Sequence, residues 1–288
     1  MEKYPKVFVV VLNFNGRDVI KRCLNSIFKS GYPDFEVVLV DNNSPDDSFE
    51  IARVNFSRAN FIKNEENLGF SAGNNVGIRF ALERRADYIF LLNNDTEIEP
   101  DCLGRLVEAA EKIGEKAGIV SPVIFKGDSR EVWFSGGKIN WLRMKTEHYG
   151  EIKTQEFYES GFISGCAMLI RREVFKSIGL LDEDYFLYWE DADFSFRAKK
   201  AGFANYIVSS AWLYHFEKSE ERIKNKTYWL VISGLVFFKK NTPWWLKPWI
   251  KVYVLARKIK NLLDVKFKKN EMAVIVRKAY KDFCNAQR

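Results

Sequence analysis

The fold of this 288-residue chain is decided by residues 88–97, which read YIFLLNNDTE. An apolar run of strand length ends abruptly in two amides and a carboxylate, Asn93, Asn94 and Asp95. In open α/β sheets, ligands bind at the carboxyl ends of the strands. The stretch therefore predicts a buried strand that delivers Asp95 to a ligand site, with an ordinary strand-end turn as the alternative.

Three further strand-like runs precede this stretch, and each ends in a loop rich in amides or acids before a helical pattern. The runs cover residues 7–12, 35–40 and 60–63, the third helix is predicted over 71–84, and Pro100 begins a fourth helix. Strands that alternate with helices at this spacing indicate βαβ units. We expect an α/β fold with a mostly parallel central sheet flanked by helices.

After residue 119 the regular alternation of strand and helix patterns ends, and the sequence predicts hairpins and loops. Within this part His148 reads as solvated, and residues 162–170 then predict another buried strand. An acidic and aromatic segment follows, and it leads into a helix that begins at Glu190 and ends near Gly202. The segment of predicted hairpins and loops separates the βαβ half of the chain from the acidic residues at the start of this helix.

Charge and cysteine content narrow the class of protein. The formal net charge is +7, and Lys and Arg crowd the chain after residue 238, which predicts an anionic surface partner for the tail. The four cysteines are far apart and form no CxxC pair, so a zinc site or disulfide framework is disfavoured. Without a signal-peptide pattern or a run of 18 apolar residues, we expect a cytoplasmic location.

The chain is predicted to divide into a domain over residues 1–240 and a basic amphipathic helical tail over 241–288. Apolar residues from Trp245 through Trp249 to Leu263 recur at spacings of three or four, and lysines and arginines lie between them. Tryptophan beside lysine on such a helix suits an anionic membrane surface, here the inner face of the cell membrane. Packing of the helix on the domain is the alternative.

Two sets of residues are candidates for metal and proton chemistry. A Mg²⁺ or Mn²⁺ ion on a diphosphate needs one or two protein carboxylates, so Asp95 suffices, and a neutral His215 is a good second ligand. Glu190 and Asp191 begin a helix, whose N-terminus favours ionised carboxylates. An ionised carboxylate facing a pocket can accept a proton from a hydroxyl. A packed histidine and simple helix capping are the alternatives.

Other residues suggest nucleotide and sugar binding. Asp41 can accept from a pyrimidine N3–H and Phe14 can stack on the base, although turn formation and core packing explain them equally well. Gly69 allows a close approach to phosphates, but GxxxxGK[ST] and GxGxxG after the first strand are absent, which argues against kinases and dehydrogenases. Trp189 lies in an aromatic run that is either core or a platform for sugar faces.

In this order the motifs resemble family-2 glycosyltransferases of the GT-A fold, closest to the rhamnosyltransferase-like and galactofuranosyltransferase-like branch. The likeness covers roughly residues 6–240. The segments that carry it, together with Arg197 and His215, are VVVLNFNG at 9–16, VDNNS at 40–44, NLGFSAGNN at 67–75, LNND at 92–95 and WEDADF at 189–194.

The resemblance implies an inverting sugar transfer with Asp191 as the base. It implies that Asp95 and His215 hold Mn²⁺ or Mg²⁺, and that Trp189 and Glu190 contact the acceptor. Where the family usually has Asp-x-Asp or Asp-Asp-Asp, this chain has Asn93-Asn94-Asp95. The nucleotide-binding residues that it implies are Leu12, Phe14, Asp41, Asn67, Gly69, Asn74, Asn93 and Asn94.

The expected partners follow from the same resemblance. The donor is a UDP- or dTDP-sugar, with dTDP-rhamnose as the first candidate, and the acceptor is a saccharide or a lipid-linked saccharide at the cytoplasmic membrane face. No nucleic-acid partner is expected. A nucleotidyltransferase, which would release pyrophosphate, and a non-catalytic nucleotide-sugar-binding protein are the competing hypotheses.

Overall fold

The computed structural model describes residues 4–216, 223–268 and 270–285. Its strands are β1 (Val7–Asn13), β2 (Phe35–Asp41), β3 (Asn60–Lys63), β4 (Tyr88–Asn93), β5 (Thr96–Ile98), β6 (Ala117–Lys126), β7 (Val132–Phe134), β8 (Gly137–Asn140), β9 (Lys145–His148), β10 (Phe157–Ser160), β11 (Ala167–Arg171) and β12 (Ala204–His215). Its helices are α1 (Ile20–Phe28), α2 (Ser48–Asn55), α3 (Gly69–Glu83), α4 (Cys102–Ile113), α5 (Arg172–Ile178), α6 (Glu190–Lys200), α7 (Ile223–Asn241), α8 (Lys247–Lys268) and α9 (Glu271–Asn285).

The main sheet has the strand order β10-β12-β6-β11-β4-β1-β2-β3, with β5 added to β12 and β7 to β6. The four strands of the βαβ half, β4, β1, β2 and β3, pair in parallel. β11 is antiparallel to both of its neighbours, β4 and β6. The predicted α/β architecture is confirmed, and its parallel half carries the strand ends with the predicted motifs.

The strands of the parallel half are buried because helices cover the sheet. Residues 7–11 of β1 and 89–90 of β4 have no exposed surface, and α3 packs against β1 and β2. A Cβ atom at Gly77 of α3 would lie 2.4 Å from Val10 Cγ1, so glycine is needed for this close approach. The continuous apolar runs that predict these strands are thus explained by burial.

One predicted strand is shorter in the structure. Residues 162–170 were expected to form it, but β11 begins only at Ala167. A turn precedes it, in which the Ala167 N–H donates to the Ser164 carbonyl oxygen at 3.2 Å. The segment before β11 therefore does not continue the sheet, and Gly165 lies in the cleft described below.

The C-terminal helices pack on one another, with α9 against both α7 and α8. A short 3₁₀ turn over Trp244–Leu246 joins α7 to α8. None of the helices in the described ranges is long and apolar enough to cross a membrane. The domain boundary after residue 240 stays a prediction, although α7 does end at Asn241.

Candidate functional site

A cleft of about 650 Å³ lies at the carboxyl ends of the parallel strands. The strand register explains why the motifs meet there, because Asn13 at the end of β1 is paired with Asp41 of β2. Leu12 is likewise paired with Asn93 of β4. The predicted residues that line the cleft are Leu12, Phe14, Asn67, Gly69, Asn93, Asn94, Asp95, Trp189, Glu190, Asp191 and His215.

Two predicted nucleotide-binding residues do not line the cleft. Asp41 is fully buried, and its carboxylate accepts from Asn13 Nδ2 at 2.7 Å and from the Ser44 N–H at 3.0 Å. Asn74 is 2% exposed and donates to the Phe70 carbonyl oxygen. Both side chains face the protein in this structure, so they hold the strand end and the start of α3 instead of presenting a free polar edge.

Asn13 is the centre of a buried amide network at the sheet edge, which we call the Asn13 network. Its amide nitrogen donates to Asp41 and to the hydroxyl oxygens of Ser44 and Ser48. The side-chain oxygen of Asn13, Oδ1, accepts from Asn94 Nδ2 at 2.9 Å. The network therefore joins the ends of β1, β2 and β4, and it fixes Asn94 beside Asp95.

The loop before α3 is held in a similar way. Asn42 donates to the Gly69 carbonyl oxygen at 2.8 Å, and Asn67 Oδ1 accepts from the Gly69 N–H at 2.9 Å. Gly69 has φ +80°, a conformation that glycine adopts at little cost. The amide-rich motif that the sequence places around residue 67 thus shapes a backbone loop on the wall of the cleft.

Asp95 meets His215 because β12 pairs antiparallel with β5, which sets His215 opposite Thr96. Asp95 Oδ1 lies 3.2 Å from His215 Nε2. The approach lacks hydrogen-bond geometry, and within the described ranges Asp95 Oδ1 and His215 Nδ1 are buried without a hydrogen-bond partner. A carboxylate oxygen and an imidazole nitrogen, Asp95 Oδ1 and His215 Nε2, thus lie close together at the cleft.

This donor set fits a divalent ion that also binds phosphate. Carboxylate oxygen and imidazole nitrogen suit Mn²⁺, and carboxylate oxygen suits Mg²⁺, while phosphate and water oxygens complete the shell. No group of three or more His, Cys, Asp or Glu side chains that could hold a metal is found in the described part of the chain. The protein would therefore supply Asp95 and His215, and a substrate diphosphate would supply further ligands.

Glu190 and Asp191 open α6 in contrasting environments. Asp191 Oδ2 accepts from the Gly165 N–H at 2.9 Å and Oδ1 from the Ala192 N–H at 2.7 Å. Glu190 is 4% exposed, and its Oε2 is buried without a hydrogen-bond partner among the residues that the structure describes. Backbone donors thus support a negative charge on Asp191 and give no such support to Glu190 Oε2.

Burial raises the pKa of both carboxyl groups. For Glu190, the desolvation is reinforced by the negative charge of Asp191, so its pKa lies well above the ordinary value. For Asp191, the two N–H donors and the nearby His148 oppose the effect of burial. Neighbouring carboxyls with unequal environments separate into an acid and a base. The two backbone N–H donors favour the ionised form of Asp191, so Asp191 is the member of the pair better placed to accept a proton.

Comparison with known proteins agrees with this geometry. A profile of "Glycosyl transferase family 2" matches residues 8–179. The chain belongs to this family. Agl10, a low-salt glycan biosynthesis hexosyltransferase of Haloferax volcanii, is 28% identical over 67% of this chain and 61% of its own length. An N-acetylglucosaminyl-diphospho-decaprenol L-rhamnosyltransferase of Mycobacterium tuberculosis is 26% identical over 72% of this chain and 75% of its own length.

The fold of this family-2 member is also found in a solved structure. GalNAc-T7 with UDP, GalNAc and Mn²⁺ superposes with a TM-score of 0.63 at 19% identity, over 81% of this chain and 48% of that one. The fold class is therefore GT-A, as the resemblance implies. Relatives named as rhamnosyltransferases support the predicted branch of the family.

In this member of the family the turn before α6 is strained and held by α7. Tyr188 and Trp189 have φ +67° and +73°, which residues other than glycine rarely adopt. The Leu187 carbonyl oxygen accepts from the Ser233 hydroxyl at 2.8 Å, and Trp189 Nε1 donates to the Leu230 carbonyl oxygen at 3.2 Å. Strained backbone of this kind clusters at functional sites, and here it directly precedes Glu190 and Asp191.

Several residues of the cleft are missed by sequence reasoning. His148, expected to be solvated, lines the cleft with its ring centroid 5.1 Å from that of Trp133. Trp229 also lines it. The hairpin of β8 and β9 brings in His148 and helix α7 brings in Trp229. Both come from regions without a recognisable motif, so nothing in their local sequence marks them.

Proposed function

We propose that the protein is an inverting glycosyltransferase that moves a sugar from a nucleotide-diphosphate sugar to a hydroxyl of an acceptor saccharide. The observation that carries the proposal is the meeting of Asp95, His215 and Asp191 in one cleft whose wall is formed by the family's motifs. Membership of the family favours sugar transfer over nucleotidyl transfer. The Asp191 carboxylate accepts hydrogen bonds from two backbone N–H groups, which support its ionised form. A carboxylate held in this way can act as a base, which favours catalysis over simple binding of the nucleotide sugar.

The proposed reaction is a single displacement. The acceptor hydroxyl gives its proton to Asp191, and its oxygen attacks the anomeric carbon as the bond to the nucleoside diphosphate breaks. A divalent ion at Asp95 and His215 would neutralise the charge on the departing diphosphate. The loop around Asn67 and Gly69 lies where it can contact that diphosphate, and Phe14, which is 37% exposed, can stack on the base.

The favoured donor is dTDP-rhamnose, because relatives named as rhamnosyltransferases support that branch of the family. UDP-sugars are the second class, and a lipid-linked saccharide is the favoured acceptor. With Asp41 turned inward, recognition of the base is assigned to Leu12, Phe14 and the backbone around them. Asp41 then acts indirectly, by holding Asn13 and the end of β1.

Thermal unfolding with a panel of nucleotide sugars tests the donor and the metal together, because a ligand that binds the folded state raises the melting temperature. We expect a pyrimidine-nucleotide sugar with Mn²⁺ to give the largest shift. Asp95→Asn should lose the Mn²⁺-dependent part of it. Slow release of nucleoside diphosphate from that sugar would exclude a purely binding role, whereas pyrophosphate release would indicate a nucleotidyltransferase.

We also propose that α8 docks on an anionic membrane. Large apolar side chains along one helix face are exposed, and six Lys, one Arg and one Asp lie on the same helix. Such a face beside cationic side chains suits the interface of a bilayer with anionic lipids. The exposed residues of this face are Trp249, Val252, Leu255, Ile259, Leu262, Leu263 and Phe267.

Co-sedimentation with vesicles of phosphatidylglycerol or of phosphatidylcholine tests this docking. Deletion of the tail is unsuitable, because α9 packs on α7 and Tyr228 donates to Asp282. The double variant Ile259→Glu with Leu263→Glu should lose binding to phosphatidylglycerol vesicles. Val54→Glu, a change at a 77% exposed residue of α2, is the matched control and should bind normally. Equal sedimentation of both variants would contradict membrane docking.

A further inference from the structure

The wall of the cleft contributed by residues 186–187 and α7 differs in chemistry from the sheet edge. At the sheet edge the lining side chains are mainly amides, with Asp95 and His215. On the wall next to Glu190 and Asp191, Phe186, Leu187, Trp229 and Leu230 line the cleft, together with Tyr188 and Lys226. Leu230 is 41% exposed, and the two rings are half-buried. This wall suits a ligand with an apolar face.

The two rings form a preorganised pair. Phe186 and Trp229 stack with a centroid distance of 4.4 Å and an interplanar angle of 22°. The Phe186 carbonyl oxygen accepts from the Phe70 N–H at 2.6 Å. A Cβ atom on Gly69 would lie 2.6 Å from Phe186 Cδ2, so the ring abuts the loop on the nucleotide side of the cleft. The pair is therefore fixed between that loop and α7.

Trp189 is not available for stacking with a ligand in the cleft, although the family resemblance implies that it contacts the acceptor. It is 8% exposed, and its indole N–H is used by the Leu230 carbonyl oxygen. Its ring packs on Phe237 at 5.0 Å, and a Cβ atom on Gly234 would lie 3.0 Å from Nε1. Trp189 thus anchors the turn to α7, and the accessible aromatic surface of this wall includes the rings of Trp229 and Phe186.

We propose that the Phe186–Trp229 pair is the acceptor subsite and binds the C–H face of a neutral pyranose ring. The proposal rests on the proposed sugar transfer, which requires an acceptor hydroxyl at Asp191. Sugar rings present polar edges and apolar faces, and aromatic rings match those faces. An acceptor ring on this pair keeps its hydroxyls at the edge, where one of them can reach the carboxylate of Asp191.

The experiment uses the full chain, Mn²⁺ and the nucleotide sugar that stabilises the protein most. Release of nucleoside diphosphate is measured while methyl pyranosides are added as acceptors. Trp229→Ala should raise the acceptor KM about tenfold, the upper range of an aromatic contact. Trp229→Phe should recover most of the loss. Trp212→Ala, at a tryptophan 37% exposed outside the cleft, is the matched control and should leave the acceptor KM unchanged.

Two outcomes separate this subsite from the proposed function. The melting-temperature shift caused by the nucleotide sugar should be the same in Trp229→Ala and in the wild type, which also shows that the variant is folded. An acceptor KM within twofold of the wild type, or an equal loss of nucleotide-sugar binding, would overturn the subsite while leaving sugar transfer intact. If the wild type releases no nucleoside diphosphate, the proposed function fails and this inference fails with it.

Discussion

The Asn13 network at the sheet edge and Glu190 at the start of α6 differ in how their buried polar groups are satisfied. At the sheet edge, each polar atom of the Asn13 side chain has partners, and the Asp41 carboxylate accepts from three groups. At the start of α6, Glu190 Oε2 lacks a partner within the described chain, and two preceding residues are strained. A satisfied buried network stabilises one geometry, whereas strain and unpaired carboxyls are typical of reactive sites.

This difference predicts that substitutions in the two regions have different effects on stability and on turnover. Loss of a member of the Asn13 network should lower the free energy of unfolding, and turnover would fall only as a consequence. Loss of a carboxyl group at α6 should change the chemistry while the fold persists. The variants below test this contrast, starting with the largest expected effect.

The largest effect is expected for Asp191→Asn. Without a general base, kcat should fall by about 10²–10⁴-fold, while the melting-temperature shift caused by the nucleotide sugar stays close to that of the wild type. Asp184→Asn, at a nearby carboxylate with a 68% exposed side chain, is the matched control and should keep kcat within about twofold. Unchanged turnover in Asp191→Asn would remove this carboxylate from the mechanism.

The second effect concerns stability. Asn13→Asp keeps the size of the side chain but replaces the amide donor with a second carboxylate against the buried Asp41. Because buried groups would lose their donor, the free energy of unfolding should fall by roughly 3 kcal/mol, measured by urea denaturation. Asn43→Asp, at an exposed asparagine that donates to the Glu65 carbonyl oxygen, is the control and should lose much less. Equal losses would show that the Asn13 network has no special role.

The parallel half of the fold could be predicted from sequence because its signals are local. Residues 7–12 and 88–92 are apolar runs of strand length, and each leads into a polar loop that lies in the cleft or directly behind it. Local sequence signals of the same kind predicted that Asp95 and Asp191 lie at a ligand site. Asp41 shows its limit, because a strand-end carboxylate can turn either to the ligand or into the protein, and only the packing of Asn13 and Ser44 decides.

The other wall of the cleft depends on contacts between distant segments. Trp229 meets Phe186 from 43 residues away in sequence (229 − 186), and Trp189 turns to α7 because Gly234 leaves room for its ring. No periodicity or motif encodes such a meeting. The strand predicted over 162–170 is shorter in the structure for a related reason. The turn at Ser164 and Gly165 packs against α6, where the Gly165 N–H donates to Asp191.

The smallest effect is a change in the pH dependence of stability. Since burial raises the pKa of Glu190 in the folded protein, the folded state binds this proton more tightly than the unfolded chain. The free energy of unfolding therefore falls as the pH rises from the ordinary pKa of a glutamate, about 4.3, through the raised value. In Glu190→Gln this contribution disappears, so the variant should gain stability relative to the wild type as the pH rises.

Melting temperatures from about pH 4 to 9 measure this change. The pKa of Asp191 is also raised, so its contribution has the same sign and a residual fall should remain in Glu190→Gln. Glu115→Gln, the same substitution at an exposed residue outside the cleft, is the matched control. Parallel pH curves for the wild type and Glu190→Gln would mean that Glu190 stays ionised, and the contrast between the two carboxyl groups would then be lost.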